Sequence, residues 1–126
     1  MAEWIQYNPS PAGRNVGDCA VRAISKALDT DWETAYMLIA SAGYVINEMP
    51  SSNSVWGAVL RRRGFNRYII PNSCPDCYTI GQFADDNPKG VYVVGTGTHV
   101  TAVKDGKVYD SWDSRGEIPV YYWARR

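Results

Sequence analysis

The sequence has little that would tie it to a membrane, a nucleic acid or a disulfide scaffold. Its apolar runs extend only a few residues, whereas a membrane-spanning helix needs about 20. Thirteen Lys and Arg balance thirteen Asp and Glu, so no overall field draws the chain to nucleic acid or to an anionic membrane, and neither partner is expected. The clusters Arg61-Arg62-Arg63 and Arg125-Arg126 are only local. Cysteine occurs three times, an odd number where a disulfide framework pairs them evenly. The first nine residues, Met1 to Pro9, carry neither the basic region nor the apolar run of a secretory signal. Free thiols in a reducing cytoplasm are therefore expected. No internal repeat or low-complexity linker interrupts the 126 residues, so residues 1–126 are read as one domain. No cofactor is expected, and the sequence sets no oligomeric state.

What is present is a normal globular balance, 45% apolar and 21% charged, which argues against wholesale disorder. Five Trp and nine Tyr can build a core and can also line a pocket that grips a peptide-like ligand. Of these, Trp56, Trp112, Tyr121, Tyr122 and Trp123 are assigned to core or edge packing, with Trp112 placed to shield a site histidine.

Residues 1–17 are rich in Pro, Gly and Asn and read as an extended, turn-filled lead-in. Ala20, Ala23, Ile24, Ala27 and Leu28 then fall at helical offsets and predict a helix that starts at Asp18-Cys19, with Asp18 as N-cap. A second helix is predicted over 31–42, opened by a Thr30-x-x-Glu33 capping box and burying Trp32, Ala35, Tyr36, Ile39 and Ala40. A third over 54–63 stops at Gly64, and a short fourth over 79–86 opens with Thr79-x-x-Gln82. From Gly90 the character is β, with strands predicted at 91–94, 100–104, 107–112 and 118–122. Asp105-Gly106 is a two-residue hairpin turn between the second and third of these. Helices followed by an antiparallel meander make an α+β layout.

Three residues carry the candidate chemistry. Cys19 opens a helix, where unpaired N–H groups and the positive dipole end favour thiolate and can bind an oxyanion. Asp18 could cap the helix, repel the thiolate or meet a substrate. On its own, Cys19 reads more readily as a small buried hydrophobe than as a reactive thiol. His99 is the only histidine, so any imidazole base must be this one. Across the Asp105-Gly106 hairpin, residue 99 falls opposite 112, and Asp110 is its diagonal neighbour on the same face. Asp110 can thus orient the ring, and Asp113 is the alternative third member.

This order, Cys19 on the first helix, His99 at a strand start and Asp110-Ser111-Trp112 after a hairpin, resembles the papain-like cysteine protease superfamily. The string Gly17-Asp18-Cys19-x-x-Arg22-Ala23-Ile24 is also similar to the Cys motif of ovarian-tumour-type deubiquitinases. With Trp32 and Val103 to Lys107, the pattern looks like small phage and bacterial papain-like proteins. The resemblance implies N-terminal helices packed on a C-terminal antiparallel sheet. It also implies a thiol protease, isopeptidase or amidase with a Cys19–His99–Asp110 triad and a peptide or protein substrate. A phage origin, with action in a bacterial host, is part of the same expectation. Papain-like enzymes place a Gln several residues before the Cys; here positions 12 and 13 are Ala and Gly, and Asn15 is the oxyanion-hole candidate beside the Cys19 N–H. The rival class is a papain-fold protein without turnover, for instance a phage factor that binds a host protein.

Cys74-Pro75-Asp76-Cys77 is a C-x-x-C pair. A structural zinc site needs four ligands, and completing it would consume Cys19 and His99, so no metal site is assigned. Arg61 to Arg63 end a helix, where cations complement its dipole.

Overall fold

The apolar stripe read from the first helical segment is the one the fold buries. In α1 (Cys19–Ala27), Ala23, Ile24 and Ala27 are buried, with Ala20 and Leu28 partly buried against the same cluster. The computed structural model describes residues 1–14, 16–71 and 78–125. Within them the chain runs β1 (Glu3–Gln6), α1, α2 (Trp32–Ile46), α3 (Asn53–Arg62), β2 (Phe65–Ile69), α4 (Ile80–Asp86), β3 (Val91–Gly95), β4 (Val100–Lys104), β5 (Lys107–Asp110) and β6 (Tyr121–Arg125). The class is mixed α and β, with four helices and one six-stranded sheet among the described residues. None of these helices is long and apolar enough to cross a membrane.

The helix ends show which local signals governed. Asp31, not Thr30, caps α2: its carboxylate accepts from the Thr34 N–H at 2.8 Å. Thr30 is tied instead to the end of α1, its N–H donating to the Ser25 carbonyl and its own carbonyl accepting from the Ser25 hydroxyl. Helix α2 also runs four residues past the expected end and stops where Asn47 takes φ +64°. Its buried residues are Ala35, Ile39, Ala42 and Gly43, while Tyr36 is exposed, contrary to the expected stripe. Thr79 and Gln82 form the capping box expected for α4. Gly64 follows α3 at φ +88°, a left-handed conformation that glycine adopts without steric cost.

The sheet corrects the expected antiparallel meander. Its order is β1-β5-β4-β3-β6-β2, and β1 pairs with β5 in parallel. The lead-in therefore contains an edge strand, and Phe65–Ile69, for which no strand was expected, forms the other edge on β6. Strand β6 begins at Tyr121, three residues later than expected, and lies beside β3 rather than next to β5. The β4–β5 hairpin is as expected. Asp105 and Gly106 both take positive φ, +50° and +78°, the requirement of a type I′ turn. The pairing Ala102↔Tyr109 and Lys104↔Lys107 puts residue 99 in register with 112.

Each face of the sheet is covered. Helices α1, α2 and α3 pack over Val93, Ala102, Trp123 and Phe65, while α4 places Ile80, Phe83 and Ala84 over Val94, Val103 and Val108. Alternation along β3 and β4 sends neighbouring residues into these two cores. Trp56, Tyr121 and Trp123 are core residues as expected, and Arg61 lies over the Trp123 ring at 5.1 Å.

The Tyr121 side chain packs closely on Gly95, where a Cβ would collide with the phenol ring. Gly95→Ala is therefore expected to lower stability by about 1–3 kcal/mol through overpacking. A urea melt measures the loss, and an unchanged midpoint would show that Tyr121 is free to move aside.

Candidate active site

The first turn of α1 sets the position of Cys19. The chain arrives through Val16 and Gly17, the Asp18 N–H donates to the Val16 carbonyl at 2.7 Å, and Cys19 is the first helical residue. Asp18 occupies the N-cap position, but its side chain makes no cap bond. Its carboxylate turns inward, accepting from the Arg22 guanidinium on one oxygen and from the Trp32 indole N–H on the other, at 2.9 Å. The N–H groups of the first helical turn thus stay clear of a capping side chain.

His99 is set by a turn between β3 and β4. The Thr96 hydroxyl accepts from the N–H groups of Thr98 and His99, at 3.1 and 2.9 Å. The Thr96 N–H donates to the His99 carbonyl at 2.8 Å. The imidazole is largely buried, and its Nε2 lies 2.6 Å from Asp110 Oδ2. Trp112, itself largely exposed, flanks the ring with centroids 4.8 Å apart.

Asp110, at the end of β5, is 2% exposed and is held on every side. Oδ2 meets His99 and accepts from the Ser114 hydroxyl at 2.7 Å; Oδ1 accepts from the Ser111 N–H at 2.8 Å and lies 3.5 Å from Arg22 Nη2. Its backbone carbonyl accepts from the Tyr7 N–H and the Trp4 indole, which joins the site to β1. Asp113 is not the partner of His99: it forms an exposed pair with Arg115. Of the residues named from sequence, Cys19, His99 and Asp110 come together. Asn15, Cys74, Cys77 and Arg126 lie outside the described residues, so the oxyanion-hole and C-x-x-C readings have no structural account.

The electrostatics follow from these contacts. Burial pushes the Cys19 thiol up, but hydrogen bonding to His99, the Val100 backbone and the charges of His99 and Arg22 bring it below its ordinary value. Burial pushes the His99 imidazolium down, but hydrogen bonds to Asp110 and Cys19 and their charges reverse this and raise it to about 9. Burial also opposes ionisation of Asp110; hydrogen bonds from His99 and Ser114 and the His99 charge hold its carboxyl below the usual range. Proton transfer from thiol to imidazole is thus favoured in this setting.

Arg22, Ser114 and Thr96 were missed as site residues. Arg22 had a readable signal, since Asp18 and Arg22 are four apart on a helix that also carries Cys19. Ser114 and Thr96 act from turns, where no periodicity announces them. Among the described residues, no group of three or more His, Cys, Asp or Glu side chains could hold a metal ion. No family model matches the chain, and neither a curated protein nor a solved structure matches it significantly.

Two measurements probe this network. His99 is the only histidine, so its ring proton resonance reports alone; it should titrate near 9 and move down in Asp110→Asn and in Cys19→Ser. A midpoint at the ordinary 6.5 would disprove the coupling. Arg22→Met leaves two buried carboxylates without their shared cation and is expected to cost about 3–5 kcal/mol, read from urea denaturation.

Proposed function

We propose that the protein is a cysteine-dependent hydrolase with a papain-like arrangement, acting on a peptide-like amide, isopeptide or other acyl bond through an acyl-enzyme. The observation that supports this reading is the unbroken coupling from the Cys19 thiol through the only imidazole to a buried carboxylate. A structural cysteine needs no such partners.

In this reading His99 holds the thiol proton as an imidazolium, and Asp110 fixes the ring through Nε2. The Cys19 thiolate attacks the substrate carbonyl. The oxyanion forms at the N-terminus of α1, where the Cys19 N–H and the helix dipole face it. His99 then gives its proton to the leaving group, leaving Cys19 acylated. A water molecule next attacks the thioester, His99 takes its proton and returns it to the departing sulfur, and the carboxylic acid is released. Arg22 and Ser114 act as positioning residues on Asp110, and Thr96 as one on His99.

The pH dependence follows from the signs of the two shifts. The reactive pair is thiolate with imidazolium, present above the lowered thiol value and lost as His99 deprotonates. Turnover should be bell-shaped, with its acid limb below the ordinary thiol value of 9.0 and its alkaline limb near 9.

The direct test is Cys19 alkylation by iodoacetamide at neutral pH, alongside turnover of an activated acyl ester. Alkylation should exceed that of a free thiol and fall to the free-thiol rate in His99→Ala. Turnover should fall by about 10²–10⁴-fold in the same variant. Alkylation no faster than free cysteine would end the triad reading. Rapid alkylation without hydrolysis of any acyl ester would make the protein a papain-like binding protein instead.

A further inference from the structure

Cys19 and His99 open onto a cavity of about 530 Å³, a size that in other proteins encloses a small-molecule or peptide side-chain ligand. Most of its wall is aromatic or aliphatic. Two ring pairs form part of it: Trp32 stacks on Tyr36 with centroids 5.0 Å apart, and Trp56 on Tyr121 at 6.3 Å. Ile39 and Val100 add aliphatic surface, and Ser51, Asn53, Thr96 and Thr98 add uncharged polar lining.

The charges around it matter more than the area. Among the described residues no Lys, Arg or Glu lines the cavity, and apart from the Cys19–His99 pair its one acidic side chain is Asp18. Both Asp18 oxygens are already engaged, one by Arg22 and one by the Trp32 indole. Apart from the Cys19–His99 pair and the N-terminus of α1, a charged substrate group entering this space would leave water and meet no unengaged opposite charge. An apolar group would instead replace water against the ring faces.

We infer that this cavity receives the acyl half of the substrate and selects a bulky, uncharged, apolar or aromatic acyl group, an inference that rests on the acyl-transfer reading above. The acyl half is assigned because it stays bonded to Cys19 through both steps. The leaving group departs after taking the His99 proton, and His99 is flanked by the exposed Trp112, which is not part of the cavity wall. Trp32 links recognition to chemistry, since the same side chain forms the wall and holds Asp18.

The test uses p-nitrophenyl esters that share one leaving group and differ in the acyl part: acetyl, hexanoyl, 3-phenylpropionyl and the anionic succinyl. Acylation of Cys19 is followed as the first turnover of p-nitrophenol, each rate being divided by that of free cysteine with the same ester. Hexanoyl and phenylpropionyl should exceed acetyl by at least about tenfold, since each buried methylene is worth several-fold in affinity. Succinyl should be no faster than acetyl. Tyr36→Ala removes part of the wall at an exposed position and should cut the phenylpropionyl-to-acetyl ratio by about threefold or more. Equal corrected rates across the series, or a preference for succinyl, would overturn the inference. Iodoacetamide, too small to read the cavity, separates the two failures. Rapid alkylation with a flat acyl series removes the specificity and keeps the triad, whereas slow alkylation removes both.

Discussion

The buried carboxylate of Asp110 is the interaction on which both the fold and the site depend. A carboxylate with a side chain only 1% exposed is tolerable only when its charge is answered and its lone pairs are filled. Here His99 comes from the start of β4, Arg22 from α1, and Ser111 and Ser114 from the segment after β5. Its carbonyl adds β1 through Trp4 and Tyr7. Three separate parts of the chain must arrive together before this one charge is satisfied, and a fourth before the residue's carbonyl is. The site is therefore assembled by the fold's own requirement to shelter a charge, rather than placed on a finished scaffold.

The same reasoning resolves the position of Asp18. A carboxylate next to the Cys19 thiol would repel its thiolate if it lay free at the helix terminus. Arg22 and the Trp32 indole draw it inward, so its charge is offset. The Arg22 guanidinium then serves two carboxylates at once, a task that suits a planar fork better than a point charge. Its charge also reaches Cys19 and adds to the lowering of the thiol's pKa. One cation thus holds Asp110, offsets the carboxylate beside Cys19 and favours the ionised form of its thiol.

Much of this was readable from local pattern, and the unread parts share a physical cause. The α1 stripe, the Gly64 stop, the Thr79 capping box and the Asp105-Gly106 turn all depend on contacts within a few residues, where sequence order is spatial order. The 99–112 register followed from counting out from that turn, which is why the diagonal pairing of His99 with Asp110 was derivable. Strands β1 and β2 were not, because they are short edge strands whose partners lie far away in sequence. Phe65–Ile69 buries only Phe65 fully, so no alternation marks it. Tyr36 failed differently: its helical spacing was right, but the stripe borders the cavity there, and an apolar period cannot tell a core from a cavity wall. The anchoring bonds of Ser114 and Thr96 come from turns that only tertiary structure brings into use.

Helical geometry explains why the Cys19 thiol and the Arg22 anchor share one element. Residues three or four apart on a helix lie on one side, one turn after another. Asp18 and Cys19 begin α1, Arg22 lies one turn later, and Ala23, Ile24 and Ala27 carry the helix onto the sheet. The packing face thus fixes the rotation of α1 about its axis, and that rotation fixes where the thiol and the guanidinium point. Rotating the helix by a single residue, about 100°, would move Arg22 away from Asp110 and Cys19 away from His99 together. Apolar packing several residues downstream therefore controls the aim of Cys19, and the site's geometry is as firm as the burial of Ile24 beneath it.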